Sequence, residues 1–231
     1  MESAPRIALA GTLGVVIVIG NPLFGLSDDG PRAAGMAVAV ARAAREADAG
    51  VELVGRVGED AAGEAVLIDL ANAGIGHVAV LRDAGHPTGP APLTSEASPF
   101  DEPEDASVAA GPTGTDLAMS PLDAEDVELA LKYLPEYRVI VVVDALGDSG
   151  LGAAAAAAKW AGAALVVVVG EGSTVPSSLD RSATVFEAPA DDDGAFARLV
   201  GGYAAALDRG DDPAEAFAAA TGGTGWARAG E

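Results

Sequence analysis

Short apolar runs of strand type alternate with alanine-rich helical runs along most of this chain of 231 residues. The clearest strand lies at 166–169, where four consecutive valines favour burial on both faces of a sheet. Such alternation is typical of βαβ units, in which a helix connects neighbouring parallel strands. The sequence therefore predicts an α/β protein with a mainly parallel sheet and helices on both faces.

The predicted elements follow this alternation. Strands are predicted at 6–10, 15–19, 51–57, 77–81, 138–143 and 164–169, with a weaker one at 183–186. Helices are predicted at 32–47, 60–73, 123–133, 153–160, 194–207 and 213–221. From 83 to 121 the periodicity vanishes and Pro, Ser, Thr and Gly accumulate, so this long segment is predicted to be irregular. We expect one domain over 1–231.

The charge balance excludes several classes of partner. Acidic residues number 35 and basic residues 13, which gives a net charge of −22, while half of the residues are hydrophobic. That apolar share supports a core and excludes a disordered acidic tail. The negative surplus repels nucleic-acid phosphates and anionic membranes. The apolar run 7–19 is too short for a membrane span of about 20 residues, and no basic leader precedes it. We expect a cytoplasmic protein without nucleic-acid or membrane partners.

The only lysines are Lys132 and Lys159. An acidic, lysine-poor chain suits a cytoplasm with molar salt, where repulsion between charges is screened over about 3 Å. We therefore hypothesise a halophilic source. The alternative is a GC-rich genome, in which the acidic composition of the chain arose by neutral drift. Cysteine is absent, which excludes disulfides and thiolate chemistry.

One run carries a family resemblance. Residues 55–64 read GRVGEDAAGE, and Ala-Gly-Ile follows at 73–75. This is similar to the strand–turn–helix of the PfkB/ribokinase carbohydrate kinases, in which G-x-V-G-x-D-x-x-G precedes a helix that ends in G-V or G-I. Three stretches follow the family's order: 30–42 resembles its glycine-rich turn and helix, 87–89 its P-T-G, and 191–230 its G-A-G-D-x-F signature with two terminal helices. The resemblance implies a Rossmann-like, ribokinase-like sheet.

The same run also has a purely structural interpretation. Gly58 allows a tight exit from a strand, Asp60 caps a helix, and Gly63 permits close packing of that helix on the sheet. No substrate is needed for any of these roles. We therefore treat the run as a marker of the fold and not as a binding site.

The family reaction is ATP-dependent phosphorylation of a sugar or nucleoside hydroxyl, which needs a carboxylate base and N–H donors at a helix start. Ungapped alignment places Asp191, Asp192 and Asp193 on the first three positions of G-A-G-D and Gly194 on the base. A shift by one residue makes Asp193 the catalytic base but leaves carboxylates in the turn that binds phosphate. The electrostatic repulsion between one such carboxylate and a phosphoryl oxygen 4 Å away costs about 4 kcal/mol at an effective dielectric of 20. Three interpretations remain: an acidic helix cap, a weak metal or substrate contact, and a catalytic Asp193.

The sugar and nucleotide sides depart from the family pattern as well. Gly14 and Val16 fall where the family has the Asn and the sugar-binding Asp of G-x-x-N-x-D, and Gly35 falls where it has a sugar-contacting Asn. The proline-rich stretch from Ala91 has no counterpart of the family's lid strands, so these are expected to be reduced or absent. The family has a P-N-E segment, a helix and a V-T-x-G strand pair at the place that corresponds to residues 171–189. This segment is too short to contain all of them. Most of an ATP site is therefore expected to be missing.

These departures predict a PfkB-like protein that is weakly active or non-catalytic and serves as a ligand- or partner-binding module. One alternative is an active kinase with Asp193 as base and Mg²⁺ at the acidic turn. Another is a structural subunit, because the alanine run 153–158 is thin enough to pack against a second copy in a homo-oligomer. ATP and Mg²⁺ are implied only if the family activity survives. His77 and His86 have no ligand partners at metal-binding spacing, so no metal site is predicted.

The halophilic hypothesis predicts loss of structure in dilute buffer, because charges repel over about 30 Å at 0.01 M salt and about 3 Å at 1 M. Far-ultraviolet circular dichroism on transfer from 2 M to 0.01 M KCl measures this. A helical signal and a melting temperature that do not change with salt would support the codon-driven alternative.

Overall fold

The computed structural model describes residues 14–27, 30–91, 122–134, 136–143, 146–173, 179, 183–189 and 194–224. The strands are β1 Val15–Ile19, β2 Leu23–Ser27, β3 Gly30–Ala34, β4 Gly50–Gly58, β5 Gly76–Asp83, β6 Tyr137–Val142, β7 Ala164–Val169 and β8 Thr184–Glu187. The helices are α1 Met36–Glu46, α2 Ala61–Asn72, α3 Ala124–Tyr133, α4 Asp148–Ala161, α5 Ala195–Arg209 and α6 Pro213–Thr224. The strand predicted at 6–10 lies outside the described residues.

Six strands form one parallel sheet in the order β5-β4-β1-β6-β7-β8. β1 lies in the middle, where Val16 is paired with Val51 of β4 and with Val139 of β6. The α/β architecture and the mainly parallel sheet predicted from the sequence are thereby confirmed. The predicted strands from 51 to 186 and the helices from 60 onward are present, with ends that shift by a few residues.

Helices cover both faces of this sheet. Alternate residues of β1 point to opposite sides: Val16 and Val18 pack under α1, α2, α5 and α6, whereas Ile17 and Ile19 pack under α3 and α4. Both cores consist mainly of Ala, Val, Leu and Ile. The small side chains allow close helix packing, since a Cβ added at Gly201 of α5 would lie 2.6 Å from the Cβ of Ala43 in α1. The fold is thus three layers, with the sheet in the middle.

The segment between β1 and α1 differs from the prediction. A helix was predicted from Arg32, but Gly30–Ala34 is strand β3, which pairs antiparallel with β2 in a separate sheet. Helix α1 begins only after Gly35, whose φ of +90° lies in the region that favours glycine. Alanine at 33 and 34 suits a helix, so the prediction was wrong because strand pairing overrides this local preference.

The irregular segment predicted at 83–121 is ordered at its start. β5 continues to Asp83, and the backbone N–H groups of Phe24 and Ala91 connect the following residues to β2 through hydrogen bonds to the carbonyls of Gly89 and Phe24, at 2.8 and 2.7 Å. In the described residues, the small sheet consists of β2 and β3 with one bridge between Phe24 and Pro90, and the predicted reduction of the lid strands after Ala91 stays a prediction. Residues 92–121 lie outside the described residues. In the described part of the chain, no helix is both long and apolar enough to cross a membrane.

Asp208 is a buried carboxylate near the end of α5. It is 1% exposed, and neither of its carboxylate oxygens has a hydrogen-bond partner among the described residues. Burial raises the pKa of Asp208, and this effect exceeds the lowering caused by the positive charges of Arg138 and Arg209. Its Oδ1 would lie 2.4 Å from a Cβ at Gly14, so a glycine at the start of β1 is what makes room for it.

The raised pKa of Asp208 predicts a pH-dependent stability. The folded chain binds the proton of Asp208 more tightly than the unfolded chain does, so protonation stabilises the fold. This stabilisation is fully present below the unfolded pKa of about 4 and is lost as the pH rises through the folded pKa. Asp208→Asn removes the ionisation and should raise the melting temperature at pH 8 more than at pH 5. Thermal denaturation in molar KCl measures this.

The matched control is Asp211→Asn, because this carboxylate is exposed just beyond the same helix. A melting temperature of Asp208→Asn that falls equally at both pH values would contradict the interpretation.

Candidate functional site

The strand order defines a topological switch point at one edge of the sheet. From central β1 the chain proceeds to β4 and β5 on one side and to β6, β7 and β8 on the other. In open parallel sheets, ligands bind outside the carboxyl ends of the strands at such a switch point. Gly20 and Asn21 follow β1 here, and Val143 follows β6. We refer to this region as the carboxyl edge.

Helices α1 and α5 both begin at the carboxyl edge. The last turn of α5 reaches the opposite edge, since Asp208 lies against Gly14 at the amino end of β1. The first residues of α5, after Gly194, therefore lie at the carboxyl edge. α1 runs the same way, because the Arg209 guanidinium at the end of α5 donates to the carbonyl of Ala47, the C-cap of α1. The structure thus brings Gly35 and Gly194 to the same edge.

The other predicted site residues are placed differently. Gly14 lies at the amino end of β1 and Val16 is fully buried within it, so neither reaches the carboxyl edge. The residues that leave β1 at the carboxyl edge are Gly20 and Asn21, and the predicted match of Gly14 and Val16 to G-x-x-N-x-D stays a prediction. Asp191, Asp192 and Asp193 lie outside the described residues, so their proposed roles stay predictions.

The carboxylate of Asp60 connects the end of β4 to the turn after β5 through hydrogen bonds. Asp60 Oδ1 accepts hydrogen bonds from the Gly63 N–H at 2.7 Å and from the Thr88 hydroxyl at 2.8 Å, and Oδ2 accepts the Thr88 N–H at 2.9 Å. The Thr88 Oγ1 in turn accepts the Gly58 N–H at 2.9 Å. Asp60 caps α2, as predicted. We call these bonds the Asp60–Thr88 clasp.

The clasp fixes the charge state of Asp60. The backbone N–H of Gly63, followed by the bonds from Thr88, lowers the pKa of Asp60 below its usual value. Gly58 and Gly63 permit this close arrangement, because a Cβ at Gly63 would lie 2.3 Å from the Gly58 carbonyl and one at Gly58 would lie 2.6 Å from the Thr88 nitrogen. The glycines and the aspartate of the family-like run therefore have the structural roles that the sequence predicts.

A second polar network, missed from the sequence, lies beside the clasp. The Arg56 guanidinium forms an ion pair with Asp126 at the start of α3 and lies 4.0 Å from Asp83 Oδ2. The Arg56 backbone N–H donates to Asn21 Oδ1 at 2.9 Å. Spacing in the sequence gives no signal for these contacts, because 70 residues separate Arg56 from Asp126.

Asp83 completes this network. The backbone N–H of Gly85, together with the His86 ring at 3.0 Å from Oδ2, lowers the pKa of Asp83. This carboxylate and that of Asp60 are therefore charged, with backbone and side-chain partners of their own. Among the described residues, no group of three or more acidic or histidine side chains is arranged to hold a metal ion.

Thr88→Val tests the clasp, because it keeps the shape of the buried side chain and removes its hydroxyl. The Gly58 N–H loses its acceptor and Asp60 loses a donor, so the free energy of unfolding should fall by about 1–3 kcal/mol. Urea denaturation in molar KCl measures this loss.

The matched control is Thr221→Val on α6, where the exposed hydroxyl donates to the carbonyls of Phe217 and Ala218 in its own helix. Equal effects of the two substitutions would contradict the special role of Thr88.

Comparison with known proteins places this geometry in context. No protein-family model matches the chain, and no curated protein matches it. The fold is similar to that of Arabidopsis thaliana ribokinase complexed with ribose and ATP, at 14% identity over 91% of each chain and a TM-score of 0.60. It is also similar to a PfkB protein from Polaromonas sp. JS666, at 17% identity over 90% of this chain and 93% of that chain, with a TM-score of 0.58.

At these identities the likeness concerns the fold. The six-stranded parallel sheet, with a small antiparallel sheet inserted between β1 and α1, is therefore a ribokinase-like α/β fold.

Proposed function

We propose that this protein is a binding module on a ribokinase-like fold, which takes a small hydroxylated ligand of the sugar or nucleoside class and transfers phosphate weakly or not at all. The observation that carries the proposal is the engagement of the Asp60 carboxylate, whose two oxygens accept three hydrogen bonds within the clasp. A carboxylate held in this way supports the fold instead of the reaction.

The acid–base chemistry at the edge supports this reading. A base that takes a proton from a sugar hydroxyl needs an accessible oxygen and a pKa near the working pH. Asp60 and Asp83 both have lowered pKa values, caused first by backbone N–H groups, so they are weak bases. Gly35, at the position of the family's sugar-contacting Asn, carries no side chain to bind a hydroxyl.

The phosphate side also argues against efficient transfer. Three consecutive carboxylates, Asp191 to Asp193, directly precede Gly194 in the sequence, where the family-like turn would bind an anion. Losing a preorganised donor to a developing oxyanion costs about 10²–10³ in rate. Repulsion between these carboxylates and a phosphoryl group adds to that loss.

The segment between β7 and α5, where the family-like fold would bind a nucleotide, contains few elements among the described residues. Between β7 and α5 the described residues contain one strand, β8, and no helix. The described residues also supply no acidic cluster for Mg²⁺.

The second candidate is an active sugar or nucleoside kinase with Asp193 as base. It is favoured by the position of Asp193 in the sequence, next to Gly194 and the start of α5 at the carboxyl edge. A helix start supplies N–H donors to a developing negative charge. This function requires Mg²⁺ to neutralise the acidic turn.

The two candidates are separated by an assay of phosphate transfer from labelled Mg·ATP to ribose, fructose and adenosine in molar KCl. We expect no transfer above background for the natural chain. Transfer that is lost in Asp193→Asn but kept in Asp211→Asn, the control at the other end of α5, would establish the kinase.

The binding half of the proposal needs a separate readout. Saturation-transfer NMR with ribose and adenosine should show saturable binding that persists in Asp193→Asn. Absence of binding to every compound of the panel, with the chain folded, would contradict a sugar or nucleoside module.

A further inference from the structure

A second cavity lies at the amino edge of the sheet, opposite the carboxyl edge. It has a volume of about 750 Å³ and opens between the first residues of β1, β4 and β5 and the ends of α1 and α2. The titratable side chains that line it are Arg45, Glu52 and His77. The proposed function uses none of them, so their presence at one cavity needs a separate explanation.

Two buried atoms of opposite charge at this cavity have no partner. The Nε of Arg45 and the Oε2 of Glu52 are shielded from water, and neither forms a hydrogen bond with any of the described residues. Burial raises the pKa of Glu52, and this effect exceeds the lowering caused by the charge of His77. Buried polar groups are nearly always hydrogen-bonded, because an unpaired one destabilises the fold. The two atoms therefore indicate a bound molecule that offers an acceptor to Arg45 and a donor to Glu52.

The backbone holds these two side chains in separate places. One nitrogen of the Arg45 guanidinium, Nη1, donates to the carbonyl of Ala49 at 2.6 Å, and a Cβ at Gly74 would lie 3.5 Å from Nη2. The carboxylate of Glu52 occupies the space that a Cβ would take at Gly76. No ion pair of the described residues joins Arg45 to Glu52. The positive and the negative group are thus fixed at one cavity without neutralising each other.

We propose that this cavity binds a zwitterionic α-amino acid with an aliphatic side chain. The carboxylate of the ligand accepts the Nε–H of Arg45, and its ammonium group donates to Oε2 of Glu52. Each of the two protein atoms then gains a charge-assisted hydrogen bond. Val15 and Val78 line the same cavity and offer apolar surface to the aliphatic side chain. Val78 is 77% exposed, and such a ligand would cover part of it.

The pair of opposite charges selects this class over simpler ligands. An anion without an ammonium group would satisfy Arg45 but would be repelled by the carboxylate of Glu52, and a cation without a carboxylate would meet the reverse difficulty. A metal ion would lie beside the Arg45 guanidinium, and no group of three acidic or histidine side chains among the described residues is arranged to hold one. A zwitterion satisfies both side chains and carries no net charge.

Isothermal titration with leucine and two analogues that each lack one charge tests the proposal. The analogues are isocaproate, without the ammonium group, and isoamylamine, without the carboxylate. The titrations are made in molar KCl at pH 8, which favours the ionised form of Glu52. We expect saturable binding of leucine, and binding of each analogue at least about tenfold weaker, because one charge-assisted hydrogen bond is lost. Absence of saturable leucine binding would overturn the proposal, since water would then fill the cavity. Equal binding of either analogue would overturn it as well.

A pair of variants assigns the binding to this cavity. Glu52→Gln keeps the shape of the side chain and removes its charge, so the affinity for leucine should fall about tenfold. The matched control is Glu46→Gln, an exposed carboxylate next to Arg45 at the end of α1, which should bind leucine like the natural chain. Circular dichroism checks that both variants are folded, and the analogue series on the natural chain decides the question if Glu52→Gln is not. Unchanged leucine binding in folded Glu52→Gln would contradict the proposal.

Discussion

The carboxylate of Asp60 connects three parts of the chain that are remote in sequence. It caps α2 at Gly63, holds the turn at Thr88 through two bonds, and through the threonine hydroxyl fixes the end of β4 at Gly58. The carboxyl edge of the sheet depends on this clasp, because β4, β5 and α2 all meet there. Both of its oxygens accept hydrogen bonds from the chain, and the same bonds lower its pKa.

The packing of the helices on the sheet holds the fold together without polar groups at the carboxyl edge. The central sheet is buried on both faces by small aliphatic side chains, and α1 and α5 approach closely at Gly201. These contacts lie in the layers between sheet and helices, away from the carboxyl edge. The packing that holds α1 and α5 in position therefore does not depend on polar side chains at the carboxyl edge.

Much of the fold could be predicted from the sequence, because its signals are local. Asp60 as a cap, the glycines around it and the valine run of β7 each act within a few residues. The hairpin of β2 and β3 could not, since alanine and glycine there carry no alternating pattern. Gly14 lies before β1 and Val16 is buried within it, a difference from the carboxyl edge that the uniformly apolar run 7–19 does not signal. The ion pair of Arg56 with Asp126 depends on tertiary packing alone.

The most direct test of the account is a calorimetric titration of the folded chain with Mg·ATP in molar KCl. The account predicts no saturable heat, because the described residues between β7 and α5 contain β8 and no helix, and the described part of the chain offers no metal cluster. Saturable binding in the micromolar range would contradict it and would establish a nucleotide site in this chain.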